Sequence, residues 1–179
     1  DRELKLRLRL AQIEKNEFSQ NNFIGFVRTV WPDFIAGRHH KIISDKLERV
    51  AKGELKRLII NMAPRHTKSE FASYLFPAWM MGRNPKMKII QATHTTELAV
   101  NFGRKTKNLI DSDEYKEIFP EVQLAADSKA SGRWDTSKGG MYYAVGVGSN
   151  LAGRGGDLVI IDDPHSEQTA MSVSGFDDA

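Results

Sequence analysis

A short loop that combines a lysine with a hydroxyl residue is the first candidate for chemistry. It reads Met62-Ala63-Pro64-Arg65-His66-Thr67-Lys68-Ser69 and lies between an apolar run and a helical pattern. The first N–H groups of a helix attract anions, so Lys68 can reach the β- and γ-phosphates of a nucleotide and Ser69 can bind its Mg²⁺. Met62 and Thr67 stand where the pattern GxxxxGK[ST] has glycines. The loop alone therefore fits either a phosphate cradle or an ordinary strand–loop–helix connection.

A second candidate is an apolar run that ends in two carboxylates. The residues Asp157-Leu158-Val159-Ile160-Ile161 lead directly into Asp162 and Asp163. Proteins with parallel sheets bind ligands at the carboxyl edge of the sheet, where two acids can serve phosphate chemistry. We expect Asp162 to hold the water shell of Mg²⁺ and Asp163 to orient or deprotonate an attacking water. The competing interpretation is a solvated turn, which the Lys-Ser loop in the same chain disfavours.

Glycines flank an arginine just before this acidic run. Arg154 lies within Gly153-Arg154-Gly155-Gly156, a segment whose backbone is free enough to present a guanidinium to a γ-phosphate. Such an arginine finger accelerates phosphoryl transfer by several orders of magnitude. The alternative is a surface turn with an incidental arginine.

The elements that must position these residues are helical at first and then alternate between strand and helix. Apolar periodicity and end signals predict helices at residues 3–16, 23–30, 39–52, 69–81, 97–110 and 115–119. The leucine alternation within 3–16 also fits a strand. Short β-branched runs predict strands at residues 56–62, 87–92, 141–147 and 158–161. This alternation indicates an α/β fold with a mainly parallel sheet covered on both faces.

Composition and charge narrow the function classes. The 179 residues are 40% hydrophobic and 27% charged, which is enough apolar material for a core. The absence of cysteine excludes disulfides, thiolate metal sites and a cysteine nucleophile. No apolar run approaches the roughly 18 residues that a membrane-spanning helix needs. The net charge of +3 gives only weak support for a nucleic-acid partner, since a solvated basic surface explains it equally well.

Taken together, these motifs resemble the ATPase domain of tailed-bacteriophage large terminase subunits. The resemblance covers about residues 20–170 and keeps the family's order and spacing. It is carried by the segments Arg57 to Glu70, Phe76-Pro77-Ala78-Trp79, Gly82-Arg83-Asn84-Pro85, Phe119-Pro120-Glu121-Val122 and Leu151 to Pro164.

The resemblance implies a three-layer ASCE-type P-loop ATPase with a helical N-terminal segment. Such a motor hydrolyses ATP with Mg²⁺ and drives double-stranded DNA into a procapsid. It also implies self-association into a ring, expected to be a pentamer, contacts with the portal protein and the small terminase subunit, and no membrane. The expected location is the cytoplasm of the infected bacterial host.

The same resemblance gives roles to individual residues. The nucleotide-binding loop would comprise Pro64, Arg65, His66, Thr67, Lys68 and Ser69, with Thr67 in place of the family's glycine. Ser69 and Asp162 would ligate Mg²⁺. Asp163 would be the catalytic carboxylate, with Glu167 as a second candidate, and Arg154 the finger that acts on a neighbouring subunit's nucleotide. His40 precedes a helix expected beside the adenine, so it is either a base contact or an ordinary surface or core histidine.

The remaining residues and the domain layout complete the expectations. We interpret residues 1–55 as the helical segment and residues 56–170 as an ATPase core that ends before its later strands. Residues 171–179 form a tail, and no nuclease domain is expected in this sequence. Core aromatics are expected at Phe26, Trp31, Trp79 and Trp134. Lys129, Arg133 and Lys138 lie in a polar stretch that either contacts DNA phosphates or is a solvated loop.

Two other functions compete with the packaging motor. One is a nucleotide-binding or assembly module with little hydrolysis, because Thr67 alters the loop. The other is a non-viral, helicase-like DNA translocase.

Overall fold

The computed structural model describes residues 2–128, 130–149, 153 and 155–165. Within these ranges the chain has an α/β fold with an open, mixed, four-stranded sheet. The α/β class expected from the sequence is thereby confirmed. The tail at residues 171–179 lies outside the described residues.

The helices follow the predicted order closely. They are α1 (Arg2–Asn21), α2 (Phe23–Val30), α3 (Arg38–Ala51), a π-helical segment (Glu70–Leu75), α4 (Phe76–Arg83), α5 (Thr96–Asp111) and α6 (Asp113–Ile118). Side-chain caps explain where two of them begin, because Asn22 accepts from the Gly25 N–H at 2.8 Å and Thr95 accepts from the Leu98 N–H at 3.3 Å. The leucine alternation near the N-terminus is helical, not a strand.

A proline explains the π-helical segment between the loop and α4. Pro77 has no N–H, and its ring would collide with the carbonyl of Ser73 in a regular α-helix. The wider turns of the π-helical segment occur directly before this proline. As a result, the helix after the Lys-Ser loop is continuous from residue 68 to residue 83 but changes its pitch over residues 70–75.

The sheet has the order β2-β3-β1-β4. Its strands are β1 (Lys88–Thr93), β2 (Arg133–Asp135), β3 (Met141–Gly146) and β4 (Leu158–Asp162). Strand β1 pairs in parallel with both β3 and β4, as expected, whereas β2 is a short antiparallel edge strand that the sequence pattern did not predict. The sheet is therefore mixed.

The strand predicted at residues 56–62 is wrong. This segment forms no strand pairing with the described part of the chain. Leu58, Ile60 and Met62 pack against the core while Ile59 is 86% exposed. The apolar run thus packs on the core through alternate residues, and without a neighbouring strand it forms no ladder of backbone hydrogen bonds.

Helices cover one face of the sheet. Trp134, Tyr142 and Ile89 face α5, and together with α2 and α4 they form one continuous core. The opposite face has a small cluster of Ile90, Ala92 and Val145, and it leaves Val159 and Ile161 exposed. A second helical layer is therefore not found within the described residues, in contrast to the three layers expected.

The expected core aromatics are confirmed. Phe26, Trp79 and Trp134 are fully buried, and Trp31 packs at the edge of the core. Within the described residues no helix is both long and apolar enough to span a membrane.

Candidate functional site

The fold brings the Lys-Ser loop and the acidic strand end together. The Lys68 Nζ atom lies 2.5 Å from Asp163 Oδ1 and 3.5 Å from Asp162 Oδ1. Asp162 is the last residue of β4 and Asp163 follows it, and β4 runs parallel to its neighbour β1, so both acids stand at the carboxyl edge of the sheet. A cleft of about 400 Å³ lies here and is lined by residues 62–70 and Asp163.

The backbone of the loop takes left-handed conformations at two residues that are not glycine. Arg65 has φ of +63° and Thr67 has φ of +60°. For a β-branched residue such as Thr67 this conformation is strained, and glycine is the residue that adopts it without cost. Thr67 thus takes the left-handed conformation that a glycine would take at this position of the GxxxxGK[ST] pattern. The presence of threonine instead of glycine does not remove the turn.

Lys68 is held as a cation by the two carboxylates. Burial alone would lower the pKa of Lys68, but the hydrogen bond to Asp163 and the charges of both acids outweigh it. The pKa of Lys68 is therefore raised above its ordinary value. A lysine that stays charged in a half-buried position can neutralise a phosphate oxygen as readily as a carboxylate.

Asp162 is the more constrained of the two acids. It is 7% exposed, and its Oδ2 atom accepts a hydrogen bond of 2.8 Å from the Ser73 hydroxyl. Its Oδ1 atom is the one nearest Lys68. Ser73 is not among the residues predicted from the sequence, and it reaches Asp162 from within the π-helical segment.

Asp163 is exposed and its backbone is fixed to the next strand. Its φ is +44°, and its carbonyl accepts a hydrogen bond of 3.2 Å from the N–H of His94, which follows β1. This bond holds the turn after β4 against the end of β1. The Asp163 carboxylate consequently points toward Lys68 from a turn that is tied down at its backbone.

His40 lies against the loop, in the first turn of α3. It is 7% exposed and its ring packs on Phe34 and Phe71. Its Nε2 atom is 2.6 Å from the hydroxyl of Thr67. His40 is therefore a neighbour of the Lys-Ser loop, and the structure gives it a loop contact that neither sequence interpretation included.

The residues present fit a magnesium ion by the chemistry of their donors. Magnesium sites that act with phosphates usually take one or two protein oxygens and fill the other positions with phosphate and water. Ser69, half-buried and next to Lys68 in the chain, has a hydroxyl, and Asp162 at the end of β4 has a carboxylate 3.5 Å from Lys68 Nζ. These are the two residues that would hold the ion.

Five other expected residues are not part of the described site. Arg154, Glu167 and Lys129 lie outside the described residues. Arg133 is exposed on the edge strand β2, and Lys138 forms a surface ion pair of 3.3 Å with Glu121. These last two positions belong to the opposite edge of the sheet from β4.

Comparison of the chain with protein-family models and with curated proteins finds no match.

Proposed function

We propose that this chain binds Mg·ATP at the Lys-Ser loop and hydrolyses it as the ATPase motor of a viral DNA-packaging terminase. The observation that carries the proposal is the juxtaposition of Lys68 with Asp162 and Asp163, at 3.5 and 2.5 Å, beside a loop with left-handed residues at a helix start. A lysine, a metal-side acid and a second carboxylate are the groups that phosphoryl transfer from a nucleotide requires.

Each residue has a distinct part in the proposed reaction. The loop N–H groups and Lys68 bind the triphosphate, and Lys68 exchanges its carboxylate partners for phosphate oxygens. Asp163 accepts a proton from the attacking water, or orients it, for in-line displacement at the γ-phosphorus. Ser69 and Asp162 would hold the magnesium ion, which would neutralise charge on the phosphates when bound. Arg154 of a neighbouring subunit is proposed to stabilise the transition state.

The motor function extends the proposal to partners. We propose that the motor acts on double-stranded DNA as a ring of subunits, expected to be a pentamer, together with a portal protein and a small terminase subunit. A three-layer ASCE-type architecture is part of the same proposal. The supporting features are the terminase-like order of motifs and the excess of basic over acidic residues in the first 60 positions. DNA-stimulated hydrolysis distinguishes the packaging motor from an ATPase without a nucleic-acid partner.

Phosphate release from Mg·ATP tests the proposal. Lys68→Ala and Asp162→Asn should each lower the rate by at least about a hundredfold, since both act on charge in the transition state. Lys116→Ala and Asp111→Asn are matched controls, because these two residues form an exposed ion pair on α5 and α6 and should keep the wild-type rate. The protein should be assayed at high concentration with DNA, so that subunits can meet. Wild-type turnover in both site variants would overturn the proposal.

A second candidate, favoured by the strained Thr67, is a module that binds nucleotide but hydrolyses it slowly. The β-branched side chain at φ of +60° restricts how closely the loop backbone can approach a phosphate. Saturable binding of a fluorescent ATP analogue without phosphate release, and release restored by Thr67→Gly, would favour this candidate.

A further inference from the structure

A chain of three hydrogen bonds connects the start of α3 with the phosphate loop. The Gly37 N–H donates to His40 Nδ1 at 2.9 Å. The His40 ring is then left with its proton on Nε2, because Nδ1 is used as an acceptor. The Nε2–H accordingly donates to the Thr67 hydroxyl at 2.6 Å, and that hydroxyl donates to the His66 carbonyl at 2.6 Å.

This series of hydrogen bonds holds Thr67, whose backbone conformation is the least favourable in the loop. Thr67 is both β-branched and left-handed, a conformation that surrounding contacts must hold in place. Its hydroxyl has bonds on both sides, one to His40 and one to the preceding carbonyl. The Thr67 carbonyl in turn accepts from the Phe71 N–H at 3.0 Å and so closes the first turn of the helix.

The His40 ring is held rigidly by its neighbours and can anchor this series of hydrogen bonds. It is wedged between Phe34 and Phe71, with ring centroids 4.8 and 5.0 Å away, and it is almost fully buried. The neighbouring His39 ring lies 3.8 Å from it and in turn 5.9 Å from His66 of the loop. A ring so packed can transmit the position of α3 to the loop.

We infer that His40 is a positioning residue for the phosphate loop, which it holds in its left-handed conformation through the hydroxyl of Thr67. The inference rests on the proposed function, because it concerns the conformation that receives the phosphates. His40 itself touches no phosphate in this account; it acts through Thr67. A glycine in place of Thr67 would take the same backbone conformation without such support, so the histidine and the threonine operate as a pair.

A double-mutant cycle tests the pair. His40→Phe keeps the ring packing without the Nε2–H, and Thr67→Val keeps the branched side chain without the hydroxyl. Each single change should weaken Mg·ATP-analogue binding about threefold to tenfold, the effect of one hydrogen bond, and the double variant should be no weaker than the weaker single variant. His40→Gln, whose amide has both an acceptor and a donor, should recover most of the affinity. Ile43→Val, a conservative change at a buried position of the same helix, keeps the hydrogen bonds of His40 and should leave affinity unchanged.

The free energy of unfolding of the same four proteins, measured without nucleotide, tests this inference independently of the proposed function. Coupling between the two positions in unfolding supports the His40–Thr67 link even if the wild type binds no ATP, in which case only the proposed function fails. Additive effects of the two changes in the unfolding cycle overturn the inference. Coupling in unfolding together with additive effects on ATP binding also overturns it, since the link would then be structural without positioning the loop for phosphates.

Discussion

At the residue scale, the buried acid Asp162 depends on two partners of different kinds. One carboxylate oxygen accepts from Ser73 in the interior, and the other lies 3.5 Å from the Lys68 ammonium at the cleft. The bond to Ser73 fixes the orientation of the carboxylate, so the second oxygen is presented to the cleft. The π-helical segment, in which Ser73 lies, is thus part of how the acid is placed.

Ser73→Ala should therefore lower the free energy of unfolding by about 1–3 kcal/mol, because it removes the partner of a buried charged oxygen. Ser137→Ala, at an exposed turn position, is the matched control and should change the free energy of unfolding by less than about 0.5 kcal/mol. Urea denaturation measures both. Equal stability of the two variants would contradict the role given to Ser73.

His40 gives the stability of the protein a dependence on pH. Burial, followed by the nearby charge of His39, lowers the pKa of His40 below its ordinary value of 6.5. In the unfolded chain the ring takes up a proton at its ordinary pKa, while the folded state resists it. The stability contributed by the neutral ring is therefore complete above that pH and is lost as the pH falls toward the lower, folded pKa.

The free energy of unfolding of the wild type should consequently decline more steeply between about pH 7 and pH 5 than that of His40→Gln, which cannot titrate there. Urea denaturation at a series of pH values gives the two slopes. Parallel slopes would show that the neutral state of His40 does not contribute to folding.

At the scale of elements, the helices were predictable because each has its own signals. Asn22 and Thr95 cap α2 and α5 with their side-chain oxygens, and the parallel strands β1, β3 and β4 lie within the predicted apolar runs or within one residue of them. The strand expected at residues 56–62 could not be rejected from sequence, since a short apolar run fits both a buried strand and an irregular segment that packs on the core. The short strand β2 has only three residues, too few for a periodic signal.

The site was predictable to a similar degree. Lys68, Asp162 and Asp163 were recognised by residue type and by their place after apolar runs, and the fold brings them together. The contacts of Ser73 and His40 depend on the pitch of the π-helical segment and on the packing of α3. Neither has a local sequence signal, because both are set by tertiary contacts.

The contact between α5 and the sheet gives a prediction about packing. A Cβ added at Gly103 would lie 2.6 Å from the Ser131 carbonyl oxygen and 3.0 Å from the Tyr142 ring. Gly103→Ala should destabilise the fold by about 1–3 kcal/mol, since overpacking outweighs the gain in helix propensity of about 1 kcal/mol. Gly155→Ala, where no atom of the described residues lies within 4 Å of the added Cβ, is the control for thermal denaturation and should leave the melting temperature unchanged. An unchanged melting temperature for Gly103→Ala would contradict the close approach of α5 to β3.

At the scale of the whole molecule, the candidate site joins parts of the chain that are far apart in sequence. His40 comes from the helical N-terminal region, Lys68 from the loop, His94 from the end of β1 and Asp163 from the end of β4. A ligand that binds across these parts stabilises the folded state as a whole, by about 2.7 kcal/mol at a hundredfold excess over its Kd.

The exposed apolar side chains Val159 and Ile161 lie on the sheet face away from the helices.

Calorimetric titration of Mg·ATP into the protein measures whether Lys68 binds the phosphates of the nucleotide. The wild type and Lys116→Ala should bind Mg·ATP with the same Kd, because Lys116 belongs to an exposed ion pair outside the cleft. Lys68→Ala should raise the Kd by about tenfold to a hundredfold, the effect of losing a hydrogen bond to a charged group. An unchanged Kd in Lys68→Ala, with the fold confirmed by circular dichroism, would contradict the account.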